Sequence, residues 1–385
     1  MKDGKLLITG IIFELFLLAF VVLFLKIDNF LLSLLLIAVA IGFYLLLSVK
    51  TSVVENLTKA LTFKKRELMI SGLILVIALP FFFLSNIYII HILILALIYA
   101  IAAVGLDFQM GSTGMVNFAQ GTMLGIGAYT SALLCTTFGV SFWVGLLGGM
   151  IVSGIFGIIL GLPTLKTKEY HLSLVTIAFA YVGYLLILNM KWTGGPDGIA
   201  GIPKPKIFGF NLSNSISIGS ITIPGKMIYF YLVLLILVLL IVVASRFRNS
   251  WLGLSWNAIR DDEISAKCYG IPLMPYKLLS FIFGSIFAGV AGVLYAHLVG
   301  FISTESMAFS VDLLLVAMVI LGGMDSIVGV IIGAILLVII PEKFRSIQDF
   351  RILLYAATLI LMLVFRPQGL IPKRVRIYRN ITGGR

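Results

Sequence analysis

Residues 246 to 277, RFRNSWLGLSWNAIRDDEISAKCYGIPLMPYK, form one polar stretch between two apolar runs, residues 226 to 245 and 278 to 299. Each flank is close to the ~20 residues that a helix needs to cross the hydrocarbon core of a bilayer. The polar stretch therefore reads as a short amphipathic helix set between two membrane spans. Arg260, Asp261, Asp262 and Glu263 crowd one end, Ile264 and Ala266 follow, and Gly270 with Pro272 stops the helix before the chain turns apolar again. From the charge run alone, a solvated loop is the other reading.

Working outward, the rest of the chain is apolar: 61% of residues are hydrophobic and 11% charged, and mean hydropathy is +1.14. The hydrophobic runs are continuous and not alternating, which excludes an outer-membrane barrel and leaves helices. Windows of span length fall near 6 to 25, 29 to 49, 68 to 84, 86 to 106, 115 to 137, 143 to 165, 171 to 190, 226 to 245, 278 to 299, 308 to 325, 327 to 340 and 352 to 365. The fold class expected is all-α, a polytopic transmembrane helical bundle of about 10 to 12 spans. The first run resembles a signal peptide, but Glu14 interrupts it and no small-residue cleavage site follows before Lys26, so it is read as a span.

Lys and Arg collect in three places. These are Lys50, Lys59, Lys64, Lys65 and Arg66; then Arg246, Arg248, Arg260, Lys267 and Lys277; then the tail with Lys373, Arg374, Arg376, Arg379 and Arg385. Span counting puts all three on one side, which is then cytoplasmic. The region from 308 to 340 reads either as two spans or as one span plus a re-entrant piece. The formal charge of +12 lies beside spans and outside any nucleic-acid motif, so anionic lipid is the expected partner of these cations and nucleic acid is not.

Little in the chain points to catalysis. His91, His171 and His297 lack metal-ligand spacing, so no metal or other cofactor is expected. Buried ionisable residues read as few and unpaired, which disfavours an intramembrane enzyme. Cys135 falls in a span and Cys268 in a cytoplasmic loop, so neither asks for a disulfide. No Gly-x4-Gly-Lys-Ser/Thr occurs, so the chain does not supply ATP hydrolysis itself.

Two glycine-rich interruptions stand out, Gly105 to Thr130 and Leu321 to Leu337. In each, Gly-Met (Gly114-Met115, Gly323-Met324) precedes a helical pattern that ends in Gly-Ala (Gly127-Ala128, Gly333-Ala334). Paired interruptions in two halves fit broken or re-entrant helices near the centre of a transporter. The candidate permeation path is therefore Gly114, Asn117, Gln120 and Gly121 from the first break, with Gly323 and Gly329 from the second. Ser112, Thr113, Asn117 and Gln120 suit the freed backbone groups. Plain helix packing through small residues is the alternative.

Several stretches together resemble the LivM-type permease of branched-chain amino acid ABC transporters: EYHLSLVTIAFAYV (Glu169 to Val182), TGGPDGI (Thr193 to Ile199), AIRDDEISAKCYGI (Ala258 to Ile271), LGGMDSIVG (Leu321 to Gly329) and FRPQGLIP (Phe365 to Pro372). The run Asn117-Phe118-Ala119-Gln120 is closer to the sister permease. The likeness implies a prokaryotic cell-membrane importer subunit for leucine, isoleucine or valine. It also implies a second related permease, two cytoplasmic ATPases and an extracytoplasmic substrate-binding protein as partners. Arg260, Asp261, Asp262, Glu263 and Gly270 would then belong to a coupling helix seated on an ATPase. Gly194, Gly195, Pro196, Asp197 and Gly198 would belong to an external loop that receives the binding protein. Residues 67 to 373 make the permease domain; 1 to 66 read as two extra spans with a basic connector, and 374 to 385 as a basic cytoplasmic tail. Urea or short amides are the alternative cargo, and a passive channel or membrane scaffold is the alternative class.

Overall fold

The structure, a computed structural model, describes residues 65–84, 86–164, 169–207, 210–211, 216–218, 221–343 and 368–371, with scattered positions between 15 and 36 and between 353 and 364. The expected spans near 29 to 49 and 352 to 365, and the basic tail, lie outside the described residues apart from isolated positions. Two compact units are present. The smaller comprises residues 1–91 with 343–345; in it residues 18–26 are helical, and helix α1 (Lys65–Ala78) runs into a tight 3-10 turn, Leu79–Phe83, at Pro80.

The larger unit, residues 92–342 and 346–385, holds the rest of the helices. In chain order they are α2 (Ile87–Asp107), α3 (Gln120–Thr137), α4 (Phe142–Thr164), α5 (Glu169–Asn189), α6 (Gly225–Arg248), α7 (Trp251–Asp261), α8 (Glu263–Cys268), α9 (Leu273–Val299), α10 (Phe309–Gly322) and α11 (Ile327–Lys343). Helix α2 begins in the first unit. Among the described residues five segments are long and apolar enough to cross a membrane: Ile87–Ser112, Phe142–Pro163, His171–Asn189, Gly225–Arg248 and Leu273–Val299. The molecule is a multi-pass helical membrane protein.

The sequence of α4 shows why the core forms where it does. Gly145, Gly149, Ser153, Gly157 and Gly161 recur every fourth residue and so share one face, while Trp143, Leu147, Ile151, Ile155 and Ile159 share the opposite one and are exposed. The small face lets two helix backbones come close. A Cβ on Gly127 of α3 would stand 2.5 Å from the Gly289 Cα of α9, and one on Gly149 3.0 Å from the Gly127 carbonyl oxygen. With no hydrophobic drive between helices in lipid, this close fit of α3, α4 and α9 is what dispersion can hold together. For these glycines the packing alternative is the correct one.

One expected boundary moves, and two further regions gain definite structure. The span near 115 to 137 begins at Gln120, because α2 ends in a π-helical turn, Phe108–Ser112, and the chain stays irregular to Ala119. The region from 308 to 340 is two helices: Gly322 packs on the Gly329 carbonyl and Gly333 on the Met318 carbonyl, so α10 and α11 form an antiparallel hairpin around the turn at residues 323–326. At 14 residues α10 rises about 21 Å, short of the ~30 Å hydrocarbon core, and α11 is described as far as Lys343. Finally, the loop after α5 carries short strands. β1 (Ile199–Ala200) pairs antiparallel with β6 (Phe301–Ile302), β2 (Lys206–Ile207) with β3 (Phe210–Asn211), and β4 (Ile216–Ile218) with β5 (Ile221–Ile223).

Candidate functional site

The polar stretch between α6 and α9 folds as two helices and not one. Asp262 is extended (φ −162°, ψ 113°) and ends α7. Its Oδ1 accepts from the Ile264 and Ser265 backbone N–H groups at 2.8 and 3.2 Å, and Ser265 Oγ donates to Oδ2 at 2.7 Å. Asp262 thus caps α8, and the Ser265 hydroxyl, then these backbone donors, hold its carboxyl below the usual range. Helix α7 buries Gly253, Trp256 and Ile259 on one face. The Trp256 indole donates to the Tyr276 carbonyl at 2.8 Å and meets Phe108 edge-on at 5.6 Å. What remains outside is the elbow itself, with Asp261, Ile264, Lys267, Cys268, Tyr269 and Gly270 exposed.

The charges at this elbow do not share one polar face. Asp261 points outward, at 72% side-chain exposure, with its Oδ1 3.5 Å from Arg260 Nη2. Glu263 pairs with Lys277 at the start of α9. Arg260 turns inward: its Nη1 donates to the Gly111 carbonyl and lies 3.6 Å from Asp325 Oδ2. Asp325, in the α10–α11 turn, is also 4.0 Å from Arg248 Nη1, while Arg248 Nη2 contacts Asp107 Oδ2 at 2.8 Å. Asp107 Oδ1 accepts the Asp325 backbone N–H at 2.8 Å, and Ser112 Oγ donates to Asp325 Oδ1 at 3.2 Å. Arg248 also lies over the Phe108 ring, 5.1 Å from its centroid.

This cluster overturns the expectation that buried ionisable groups are unpaired. Among the described residues it joins two carboxylates and two guanidiniums, at the ends of α2, α6, α7 and α10, and Asp107, Arg248 and Asp325 are all buried. Both glycine breaks meet in it. A Cβ on Gly111 would overlap the Asp107 carboxylate and the Asp325 backbone nitrogen.

The residues expected along a permeation path sit in separate surroundings. Gly114, at φ +77°, is the seat of the Arg260 stem, whose Cγ would be 2.8 Å from a Cβ there. Asn117 Nδ2 donates to Gln109 Oε1 at 2.6 Å, and its Oδ1 accepts from the Ala119 N–H. Gln120 Nε2 donates to the Ala102 and Gly284 carbonyls, each at 3.0 Å. Thr113 Oγ1 donates to the Gln109 carbonyl at 2.8 Å. Thr113 and Asn117 thus satisfy backbone freed by the break, as the sequence indicated, whereas Gln120 ties the start of α3 to carbonyls of α2 and α9. Gly323 abuts the Ile371 carbonyl and Gly329 the Gly322 carbonyl. Gly121 alone faces an acid, Asp312 of α10, whose Oδ1 accepts its N–H at 2.5 Å. Asp312 is fully buried, and its Oδ2 has no hydrogen-bond partner among the described residues.

On the far side of the larger unit, Gly194 (φ +80°) and Gly198 (φ +69°) fold the Thr193 to Ile199 loop tightly. A Cβ on Gly194 would overlap the Gly198 carbonyl, and one on Gly198 the Ile302 carbonyl of β6. Gly195 is buried there, with Pro196 and Asp197 exposed. His297, near the end of α9, ties this loop down. Its Nδ1 lies 2.6 Å from the Pro203 carbonyl, which only accepts, so Nε2 takes the Ser131 hydroxyl proton at 2.8 Å.

Apolar spans, a buried cluster of paired charges where the two glycine-rich stretches meet and an amphipathic elbow define a multi-pass membrane protein. The family model described as "Branched-chain amino acid transport system / permease component" matches residues 88–365. The chain is 36% identical over 324 residues, 81% of its own length and 76% of the relative's, to the high-affinity branched-chain amino acid transport system permease protein LivM of Escherichia coli (strain K12). The LivM protein of Salmonella typhimurium matches to the same extent. The LivH permease of that organism is 26% identical over 285 residues, 71% of this chain and 91% of the relative. No solved structure matches. The chain belongs to the branched-chain amino acid transport permease family.

Proposed function

We propose that this chain is one membrane subunit of an ATP-driven importer for leucine, isoleucine and valine, paired with a second, related permease. The observation that carries the reading is the α7–α8 elbow, which exposes Ile264 (78%) and Tyr269 (88%) while Arg260 anchors it among the glycine breaks. Exposed apolar side chains beside charge, on a helix tied into the membrane core, suit a protein that docks and moves it. Two cytoplasmic ATPases are the proposed occupants, because the chain has no ATP-binding loop of its own. An extracytoplasmic binding protein delivers cargo at the side carrying the loop from Lys191 to Lys226, where Trp192, Pro196 and Asp197 are exposed. The membrane core then alternates between outward and inward access, driven by the difference in ATPase contacts between the two states.

Relatives named for branched-chain amino acids support this cargo. The test is reconstitution of the four kinds of subunit in proteoliposomes. ATP-dependent leucine accumulation, competed by isoleucine and valine and not by urea, is expected. Flux without ATP would replace the importer by a channel, and urea accumulation would replace the cargo.

A further inference from the structure

We infer that the Asp107–Arg248–Asp325–Arg260 cluster is a latch, and that Arg260 is the positioning residue through which movement of the elbow releases both glycine breaks. The inference rests on the ATP-driven reading above and adds the route by which an event at the elbow reaches the membrane core.

Three observations carry it. First, Arg260 is one side chain joined to both breaks, through the Gly111 carbonyl in the first and Asp325 in the second. It sits in the last turn of α7, immediately before the chain bends at Asp262, and its stem crosses Gly114 where no Cβ would fit. A tilt of α7 therefore draws it from both contacts together.

Second, the cluster has two workable arrangements. Asp325 is shared between Arg260 at 3.6 Å and Arg248 at 4.0 Å. When Arg260 withdraws, Arg248 remains as counter-charge, so opening does not strand a buried carboxylate, the event that would otherwise forbid it. Arg260 is also the member with access to water, at 18% side-chain exposure against 3% for Arg248 and 0% for Asp325. It is the guanidinium that can leave without full desolvation on either side.

Third, among the described residues Asp325 is the non-glycine held at positive φ, 66°. A strained backbone angle persists only where its surroundings enforce it, and such angles gather at switch regions. Here the enforcement comes from the Asp107 carboxylate on the Asp325 N–H and from Ser112 on its side chain. A buried ion cluster contributes little net stability against an apolar replacement, which leaves positioning as what this one provides.

Two measurements test the latch. In the complete reconstituted complex, Arg260→Gln should leave ATPase copurification intact and cargo-stimulated ATP hydrolysis within about twofold, while leucine accumulated per ATP falls about tenfold. Arg260→Lys keeps the charge without the forked geometry and should fall between. Unchanged accumulation per ATP overturns the latch. So does loss of the bound ATPase, which would make Arg260 a docking residue.

The second measurement needs only this chain in membranes. With Cys268→Ser removing the exposed thiol, Ser112→Cys, at a buried position, should react faster with a membrane-impermeant thiol reagent when Arg260→Gln is added. Equal labelling rates in the two backgrounds refute release of the first break, whatever the ATPases do. A wild-type complex with no ATP-driven uptake, alongside faster labelling, would instead remove the transport reading and leave the latch standing.

Discussion

Replacing Gly127 by Ala probes the close fit of α3 against α9. The new Cβ would lie 2.5 Å from both the Cα and the carbonyl oxygen of Gly289, and ordinary contact begins near 3.4 Å. Both obstacles are backbone, so no side chain can swing aside, and the helices must part by about 0.9 Å. Overpacking of this kind costs about 1–3 kcal/mol. Parting α3 from α9 also stretches the 3.0 Å bond from Gln120 to the Gly284 carbonyl, a further ~1 kcal/mol. Alanine's better helix propensity offsets roughly 1 kcal/mol, so a net loss of about 1–3 kcal/mol is expected. Gly154→Ala is the control, since its Cβ meets only the flexible Ile286 side chain, at 3.2 Å. Thermal unfolding in detergent, followed by loss of the monodisperse peak, should show Gly127→Ala melting well below Gly154→Ala. Equal melting would mean that α3 and α9 do not touch through these glycines.

Asp312→Leu strands the buried Gly121 N–H and should cost about 1–3 kcal/mol, whereas Asp312→Asn keeps an acceptor there; the two melting equally would discredit the 2.5 Å bond. Asp262→Ala should speed amide exchange at Ile264 and Ser265 by removing the cap of α8. Because the Asp262 carboxyl is held below its ordinary value by the Ser265 hydroxyl and neighbouring backbone donors, the cap is present above the unfolded aspartate pKa and is lost as pH falls through the depressed folded one. Protection of those two amides, taken against intrinsic exchange at the same pH, should therefore fall at acid pH in the wild type and not in Asp262→Ala. Gly121→Leu should cut flux more than it lowers expression, since a Cβ there already meets Asp312 and Val311 at 3.1 and 3.2 Å; intact uptake would separate Gly121 from the path. A membrane-impermeant reagent should label a cysteine at the exposed Asp197 from outside only, and cytoplasmic labelling would invert the topology.

The spans were legible because lipid imposes one rule on long stretches: backbone polar groups must be satisfied within the helix, so apolar runs read directly as helices. The interruption between Asp107 and Gln120 was legible as well, and Thr113 and Asn117 do satisfy irregular backbone there. Pairing was not. Asp107 and Asp325 stand 218 positions apart, and no local pattern links residues so far apart. Arg260 was read as part of a charged surface for the same reason, since its inward partners belong to other breaks in the chain. The division at Asp262 did leave a local trace, an aspartate followed three residues later by Ser265, the spacing of a helix cap. It was hidden by the run of charge around it.

The motif FRPQGLIP has a consequence for biosynthesis. The Leu370 and Ile371 N–H groups donate to the Leu321 and Gly322 carbonyls at 2.8 and 3.1 Å, supplying the end of α10 with partners that the helix itself leaves wanting. Gly323 and Gly369, both at positive φ, pack against each other so closely that a Cβ on either would strike backbone. During synthesis α10 is complete almost 50 residues before these partners leave the ribosome. Until they do, two carbonyls at the mouth of the second break lack their closure. Assembly of this end of the permease is thus a late event, and a chain cut short before Leu370 would reach the membrane with its helices made and the end of α10 still open.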